Sequence, residues 1–157
     1  MSENRRVVVT GLGIVSPVGS NMEAAWNNLV SGYNGIGPIT CFDTTNYKAK
    51  LGAEVKGFNP MDYMDKSETL RSDKYAQYAM GAAVQAVEES GVIGTLPPER
   101  VAVYFGSGIG GLNTISNEIG KLESRGPHRV SPLCVPMMIG NMAAGMIAIR
   151  YNCQGAA

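Results

Sequence analysis

An α/β fold, with helices layered on a mainly parallel sheet, is what this sequence predicts, and three observations carry the prediction. Two short apolar runs, Val7-Val8-Val9 and residues 101–105, each lead into a glycine-rich turn. Amphipathic helical spacing follows both turns. Strands that alternate with helices are covered on both faces, so they read as continuous apolar runs rather than as alternating ones.

The elements follow in order. Val7-Val8-Val9, closed by Thr10-Gly11-Leu12-Gly13, is expected to be a strand covered on both faces. Ser20 with Glu23 has the pattern of a capping box. Met22, Ala25, Trp26, Leu29 and Val30 then share one helical face, with Gly32 as the stop. Residues 33–60 read as loop, with one short strand around Ala53-Glu54-Val55. Tyr75, Tyr78, Ala79, Ala82 and Ala86 recur at helical spacing until Gly91. Residues 101–105 are expected to be a second buried strand, followed by Gly106-Ser107-Gly108-Ile109-Gly110-Gly111. Leu112, Ile115, Ile119 and Leu122 predict a third helix that ends at Gly126-Pro127. Over residues 135–150, Met138, Ile139, Met142, Ala143, Met146, Ile147 and Ile149 occupy nearly every face, which predicts one helix buried all round. Pro136 suits its first turn, and Gly140, Ala143, Ala144 and Gly145 admit close neighbours.

Composition narrows the function classes. The 157 residues are 45% hydrophobic, enough for one soluble domain or a large part of one. Thirteen Lys and Arg balance thirteen Asp and Glu, and no basic block of the kind that grips phosphate backbones occurs, so nucleic acid is not expected as a partner. The start, Met1-Ser2-Glu3-Asn4-Arg5-Arg6, precedes only three valines, too short for a signal-peptide core. The apolar stretch 137–149, interrupted by Asn141, falls short of the roughly 20 residues a membrane span needs. A cytoplasmic protein without membrane insertion is the expectation. Cys41, Cys134 and Cys153 show no metal-like spacing and are expected to be reduced, buried thiols, with no metal and no cofactor.

Two motifs carry sharper chemistry on their face. Gly106-Ser107-Gly108-Ile109-Gly110-Gly111 fits G-x-G-x-x-G between a strand and a helix, where backbone N–H groups hold a pyrophosphate. A dinucleotide site also needs an acidic residue about twenty positions on at a strand end, and Glu123 lies in helical periodicity instead, so dinucleotide binding is the remote alternative. A tight turn beside a substrate channel suits the glycines better. Ser107 misses the G-x-S-x-G pattern of a nucleophile elbow, and His128 in Pro127-His128-Arg129 has no nucleophile to pair with.

Several motifs in order resemble one family. Residues 7–19 (Val-Val-Val-Thr-Gly-Leu-Gly-Ile-Val-Ser-Pro-Val-Gly), Ser31-Gly32-Tyr33-Asn34-Gly35-Ile36, Phe42-Asp43, Gly106 through Gly111, and Ser131-Pro132-Leu133-Cys134-Val135-Pro136-Met137-Met138 are similar to the β-ketoacyl-[acyl-carrier-protein] synthase II family. The likeness is collinear from Arg5 to Gly155 and corresponds to the first third or more of such an enzyme. It implies a thiolase-like fold, layered αβαβα in the complete enzyme and working as a homodimer, with residues 1–157 forming part of the N-terminal half. It also implies fatty-acid elongation by decarboxylative condensation of malonyl-acyl carrier protein with an acyl thioester. In the family the nucleophilic cysteine lies on the strand just beyond the position of Gly155, and two histidines lie much further on. A thiolate suits that role because it both attacks and leaves readily. Cys153 precedes the nucleophile's position, so these residues alone are expected to contain no catalytic group and to be inactive. A non-catalytic subunit that pairs with a complete synthase is the alternative.

The resemblance carries over residue by residue. Ile109 matches the gate of the fatty-acyl pocket, with Gly108 beside it giving room to swing. Cys134 and Met138 match positions bordering the pocket, and Leu133, Val135 and Pro136 match the border between pocket and dimer. Leu133-Cys134 stands where many relatives have Phe-Phe, which frees volume and opens the question of chain length. Lys66, Arg71 and Lys74 match a carrier-protein docking cluster that is denser in the family, so weak docking is expected.

Overall fold

The computed structural model describes residues 6–157; the start of the chain through Arg5 lies outside them. The elements run α1 (Met22–Val30), β1 (Ile36–Pro38), β2 (Leu51–Ala53), α2 (Lys66–Leu70), α3 (Lys74–Ser90), α4 (Leu112–Arg125), α5 (Cys134–Met138) and α6 (Met142–Tyr151). Helix α3 is the spine. Its buried Ala76, Ala79 and Met80 meet Ala143 and Ile147 of α6 and Met64 from the preceding turn, with Tyr75, Val84, Val103 and Tyr151 packed around them. Small residues at the α3–α6 contact let the backbones approach, so the core is narrow and rests on few large side chains. Gly91 ends α3 with φ 59°, as the spacing predicts.

The segment before α1 lies along the outer side of α3. Gln85 treats Ile14 as a sheet partner would, accepting from its N–H at 3.5 Å and donating to its carbonyl at 3.1 Å. The same amide donates to the Ser20 carbonyl at 3.0 Å, and Glu89 accepts from the Leu12 N–H. Gly11 and Gly13 make this possible, because a Cβ on either would run into the carbonyls of Ala86 and Ala82.

Several expectations are corrected. The mainly parallel sheet is absent among the described residues: the one sheet is the antiparallel pair β1–β2, in register Ile36↔Ala53 to Pro38↔Leu51. The expected strand at 53–55 is therefore β2, two residues earlier, and its partner β1 lies in what reads as loop. Val7, Val8 and Val9 are 90%, 66% and 78% exposed, not covered on both faces. Along 101–105 burial alternates instead of running continuously, and Tyr104 is exposed. A rudiment of parallel pairing survives where Gly155 N–H donates to Val101 O and Val103 N–H to Ala156 O, both at 2.9 Å. A strand exists only through its ladder partners, so apolar β-branched runs without them are left irregular and exposed.

Helix α1 starts one residue later than the capping box predicts: Asn21, not Ser20, caps it, accepting from the Ala24 N–H at 2.8 Å. Only Ala25 of its apolar face is buried, while Trp26, Leu29 and Val30 are exposed. The helix expected over 135–150 is two, broken between Met138 and Met142. Helix α4 has the predicted bounds but is turned: Thr114 and Glu118 are buried, and Leu112, Ile119 and Leu122 are exposed. Of the three free thiols Cys41 is exposed, and Cys134 and Cys153 are half-buried. Among the described residues, no helix is long and apolar enough to cross a membrane.

Candidate functional site

The glycine-rich turn 106–111 and the break between α5 and α6 are one construction. Gly110 takes φ 79°, and Gly111 N–H donates to Met138 O at 2.8 Å. That carbonyl would accept from Met142 N–H in a continuous helix; the Met142 N–H bonds Ile139 O instead, at 3.3 Å. The helix stops where Ile139 turns extended, at ψ 135°, and the turn takes the carbonyl left without its helical partner. The approach is close enough that a Cβ on Gly110 would lie 3.0 Å from Gly140 N, and one on Gly111 would lie 2.9 Å from Met138 Cα.

The same contacts argue against the dinucleotide alternative. Gly110 N–H donates to Ser107 Oγ at 2.9 Å, Gly111 N–H to Met138 O, Leu112 N–H to Gly110 O at 3.0 Å, and Thr114 N–H to Asp73 Oδ2 at 2.7 Å. Four of the backbone donors at the turn and the α4 start are thus occupied within the chain, and a carboxylate of the chain itself already sits at the α4 N-terminus, where an anion would bind.

Ile109 and Met138, expected at gate and pocket, are thereby brought to one place, with Ile109 65% exposed beside exposed Gly108. Met138 is half-buried and lies one helical turn from Cys134, Sδ to Sγ 3.9 Å. Leu133 precedes α5, and Leu133, Val135 and Pro136 are all exposed. Glu118 secures the approach to α5: buried beneath α4, it accepts from Ser131 N–H at 2.7 Å and from Lys121 Nζ. The Lys121 hydrogen bond, aided by Ser131, holds its carboxyl below the usual range.

The expected docking cations bracket α2. Lys66 begins the helix, Arg71 follows it, and Lys74 begins α3; all three are exposed. Their acidic neighbours are engaged elsewhere. Asp65 and Glu68 form a capping box at 2.8 Å each way, Glu68 also lies 3.8 Å from Arg150, and Asp73 is buried on Thr114. Among the described residues no carboxylate is within ion-pair distance of these three cations. His128 lies exposed in a short turn, Pro127–Arg129.

Sequence reasoning missed three carboxylates. Asp65-x-x-Glu68 had the capping-box spacing that identifies it; Asp73, which reads as part of a charge cluster, had no comparable signal. A fourth, Glu54, closes the β1–β2 hairpin by accepting from Thr40 Oγ1 at 2.6 Å, Thr40 N–H at 2.9 Å and Cys41 N–H at 3.0 Å. Hydrogen bonds from the Thr40 hydroxyl and then from Cys41 hold its carboxyl at about 2, below an ordinary 4.5, while Glu54 in turn pushes the Cys41 thiol up. A folded value below the unfolded one means that the stabilisation is complete above about pH 4.5 and is lost as pH falls towards 2. Urea midpoints measured between about pH 5 and pH 2.5 should fall less steeply for Glu54→Gln than for the parent, and identical pH dependence would remove the assignment.

Comparison with known proteins gives the family. Residues 4–157 match the family described as Beta-ketoacyl synthase, N-terminal domain. The 3-oxoacyl-[acyl-carrier-protein] synthase 2 of Staphylococcus aureus (strain COL) is 43% identical over 156 residues, 99% of this chain and 38% of the relative. That of Synechocystis sp. (strain ATCC 27184 / PCC 6803 / Kazusa) is 41% identical over 154 residues, 98% of this chain and 37% of the relative. The chain thus spans well under half the length of the curated relatives it matches. Among solved structures, the ishigamide ketosynthase/chain length factor superposes with TM-score 0.83 at 25% identity, covering 99% of this chain and 39% of that one. A type II PKS acyl-carrier protein in complex with its ketosynthase gives TM-score 0.80 at 20% identity, covering 98% and 41%, a likeness of fold alone.

Proposed function

The chain belongs to the beta-ketoacyl synthase family, matching its N-terminal domain over residues 4–157, and from that premise we propose that it serves fatty-acid elongation as part of a 3-oxoacyl-[acyl-carrier-protein] synthase. The observation that carries the reading is the glycine turn locked onto the α5–α6 break, because it gathers the residues that match the acyl pocket, Ile109 and Met138, at one place. In the reaction a thiolate attacks an acyl thioester and expels the carrier-protein thiol. Malonyl thioester then loses carbon dioxide, leaving its electron pair on the α-carbon, which attacks the acyl carbonyl and expels the enzyme thiolate. The product is a 3-oxoacyl thioester two carbons longer.

The residues in hand serve positioning in this scheme. Ile109 gates the acyl pocket with Gly108 as its hinge. Cys134 and Met138 border the pocket, and their thiol and thioether leave more room than aromatic rings would. Leu133, Val135 and Pro136 form the margin between pocket and a second copy of the protein, in an αβαβα layered homodimer whose sheet continues the rudiment at 101–103 and 155–156. Lys66, Arg71 and Lys74 meet an acidic face of acyl carrier protein, supported by the engagement of the carboxylates around them. The nucleophile and the histidines belong to parts of the synthase beyond the matched length.

The protein at its natural length, given acyl- and malonyl-acyl carrier protein, should release carbon dioxide and form the longer 3-oxoacyl thioester. Lys66→Glu/Arg71→Glu should raise the KM for the carrier protein about tenfold at low salt, with the difference shrinking as salt rises. Absence of condensation overturns the function, and an unchanged KM overturns the docking face.

A further inference from the structure

Asp73 occupies an unusual position. It is the N-cap residue of α3, yet its side chain makes no bond to its own helix. It is 5% exposed, and it reaches across to α4, where Oδ2 accepts from both Thr114 N–H and Thr114 Oγ1 at 2.7 Å and Oδ1 accepts from Asn113 Nδ2 at 3.4 Å. The N-cap of α4 is Gly111, which has no side chain with which to cap. Asp73 therefore caps α4 from outside, and its charge lies at the positive end of that helix dipole. A Cβ on Gly111 would stand 3.0 Å from Asp73 Oδ2, so the carboxylate also bears on the end of the glycine turn.

One turn of α3 holds a second tie. Tyr75 donates its hydroxyl to Ile139 O, the first carbonyl of the α5–α6 break. Burial, followed by the Asp73 charge, pushes the Tyr75 phenol up. The N-terminus of α3 thus ties down the chain on both sides of the Gly111–Met138 bond, Asp73 through Thr114 just past Gly111 and Tyr75 through Ile139 next to Met138. A carboxylate that served only to cap α4 would not require the residue two positions on to hold the facing segment.

We infer that Asp73 is the positioning residue that sets where Ile109 stands relative to Met138, and hence which acyl lengths the pocket admits. The inference rests on the condensing-enzyme reading for its functional half and on the geometry alone for its structural half. It is tested in the protein at its natural length with Asp73→Asn, which keeps the shape and removes the charge, and with the milder Thr114→Val, which removes one donor and keeps the backbone N–H. Amide exchange at Gly110, Gly111 and Thr114 is expected to speed up about tenfold in Asp73→Asn while Ala79 and Met80 keep their protection. The ratio of kcat/KM for long over short acyl-carrier-protein primers should shift about threefold, through KM rather than kcat. Thr114→Val should move both readouts the same way by less, and it decides the matter if Asp73→Asn does not fold. Faster exchange with an unchanged chain-length ratio makes Asp73 a helix cap only and overturns the inference, leaving the condensation reading intact. Unchanged exchange overturns it outright. If the parent protein forms no 3-oxoacyl product, the condensation reading fails and the acyl-length inference falls with it, while faster exchange still supports the clamp.

Discussion

Gly13→Ala is expected to lift residues 12–16 off α3 and to lower the unfolding free energy by about 3 kcal/mol, the upper end of what overpacking costs. The added methyl would overlap the Ala82 carbonyl oxygen and sit 2.9 Å from Ala82 C and 3.0 Å from Ala86 N. All three obstacles are helix backbone, which cannot swing aside as a side-chain tip can. The segment must retreat instead, and its three ties to α3 stretch together: Leu12 N–H to Glu89, and both polar groups of Ile14 to Gln85. Each released backbone group regains water, which tempers the loss, but the part-buried Gln85 Oε1 is left without its Ile14 donor. Urea unfolding gives the magnitude, and amide exchange at Leu12 and Ile14 gives the location. A loss under about 1 kcal/mol, or exchange that quickens elsewhere first, would show that the segment is not held by this contact.

The glycines around that contact also mark how far the sequence could be read. Helices α1, α3 and α4 were legible because their apolar or small residues recur at helical spacing and a glycine stands at or just past each end, all local signals. What escaped was settled by partners distant in the chain. The break at 139–141 has no proline and only one glycine, and the partner that meets it, the Gly111 N–H on the Met138 carbonyl, comes from some thirty residues earlier. Helix α4 was placed correctly but its orientation was not, since Asp73 and Ser131 draw Thr114 and Glu118 inward and turn the leucine and isoleucine face out. The hairpin β1–β2 was only half legible, because in Ile36-Gly37-Pro38 a single strand-favouring residue is followed by two that strands disfavour. Of the candidate site, the residues themselves could be named from motifs in order. Their meeting could not, because the Gly111–Met138 bond and the Asp73 and Tyr75 ties have no signature at any fixed spacing.

The largest loss from the core is expected for Met80→Ala, about 3 kcal/mol, or roughly 10 °C in Tm for a chain of this length. Met80 is 1% exposed and is the largest fully buried side chain among the described residues. Its buried neighbours are mostly alanines, Ala76, Ala79 and Ala143, together with Met64 and Ile147. Alanines have no rotamers with which to fill a void, and the helices carrying them are already in close contact, so the cavity would persist and its cost would add to the lost transfer energy. Met80→Leu keeps the volume and should cost less than about 1.5 kcal/mol, which separates packing from any demand for the thioether itself. The effect should also travel. Met80 lies in the α3–α6 contact, and the same two helices carry, at their N-terminal ends, Asp73 with Tyr75 and the break that supplies the Met138 carbonyl. Loosening the contact should therefore raise exchange at Gly111 in Met80→Ala but not in Met80→Leu. If both variants lose stability equally, the thioether and not its volume is what the core requires; if Met80→Ala leaves Gly111 protected, the gate residues are held by the α3 N-terminus without help from the core beneath it.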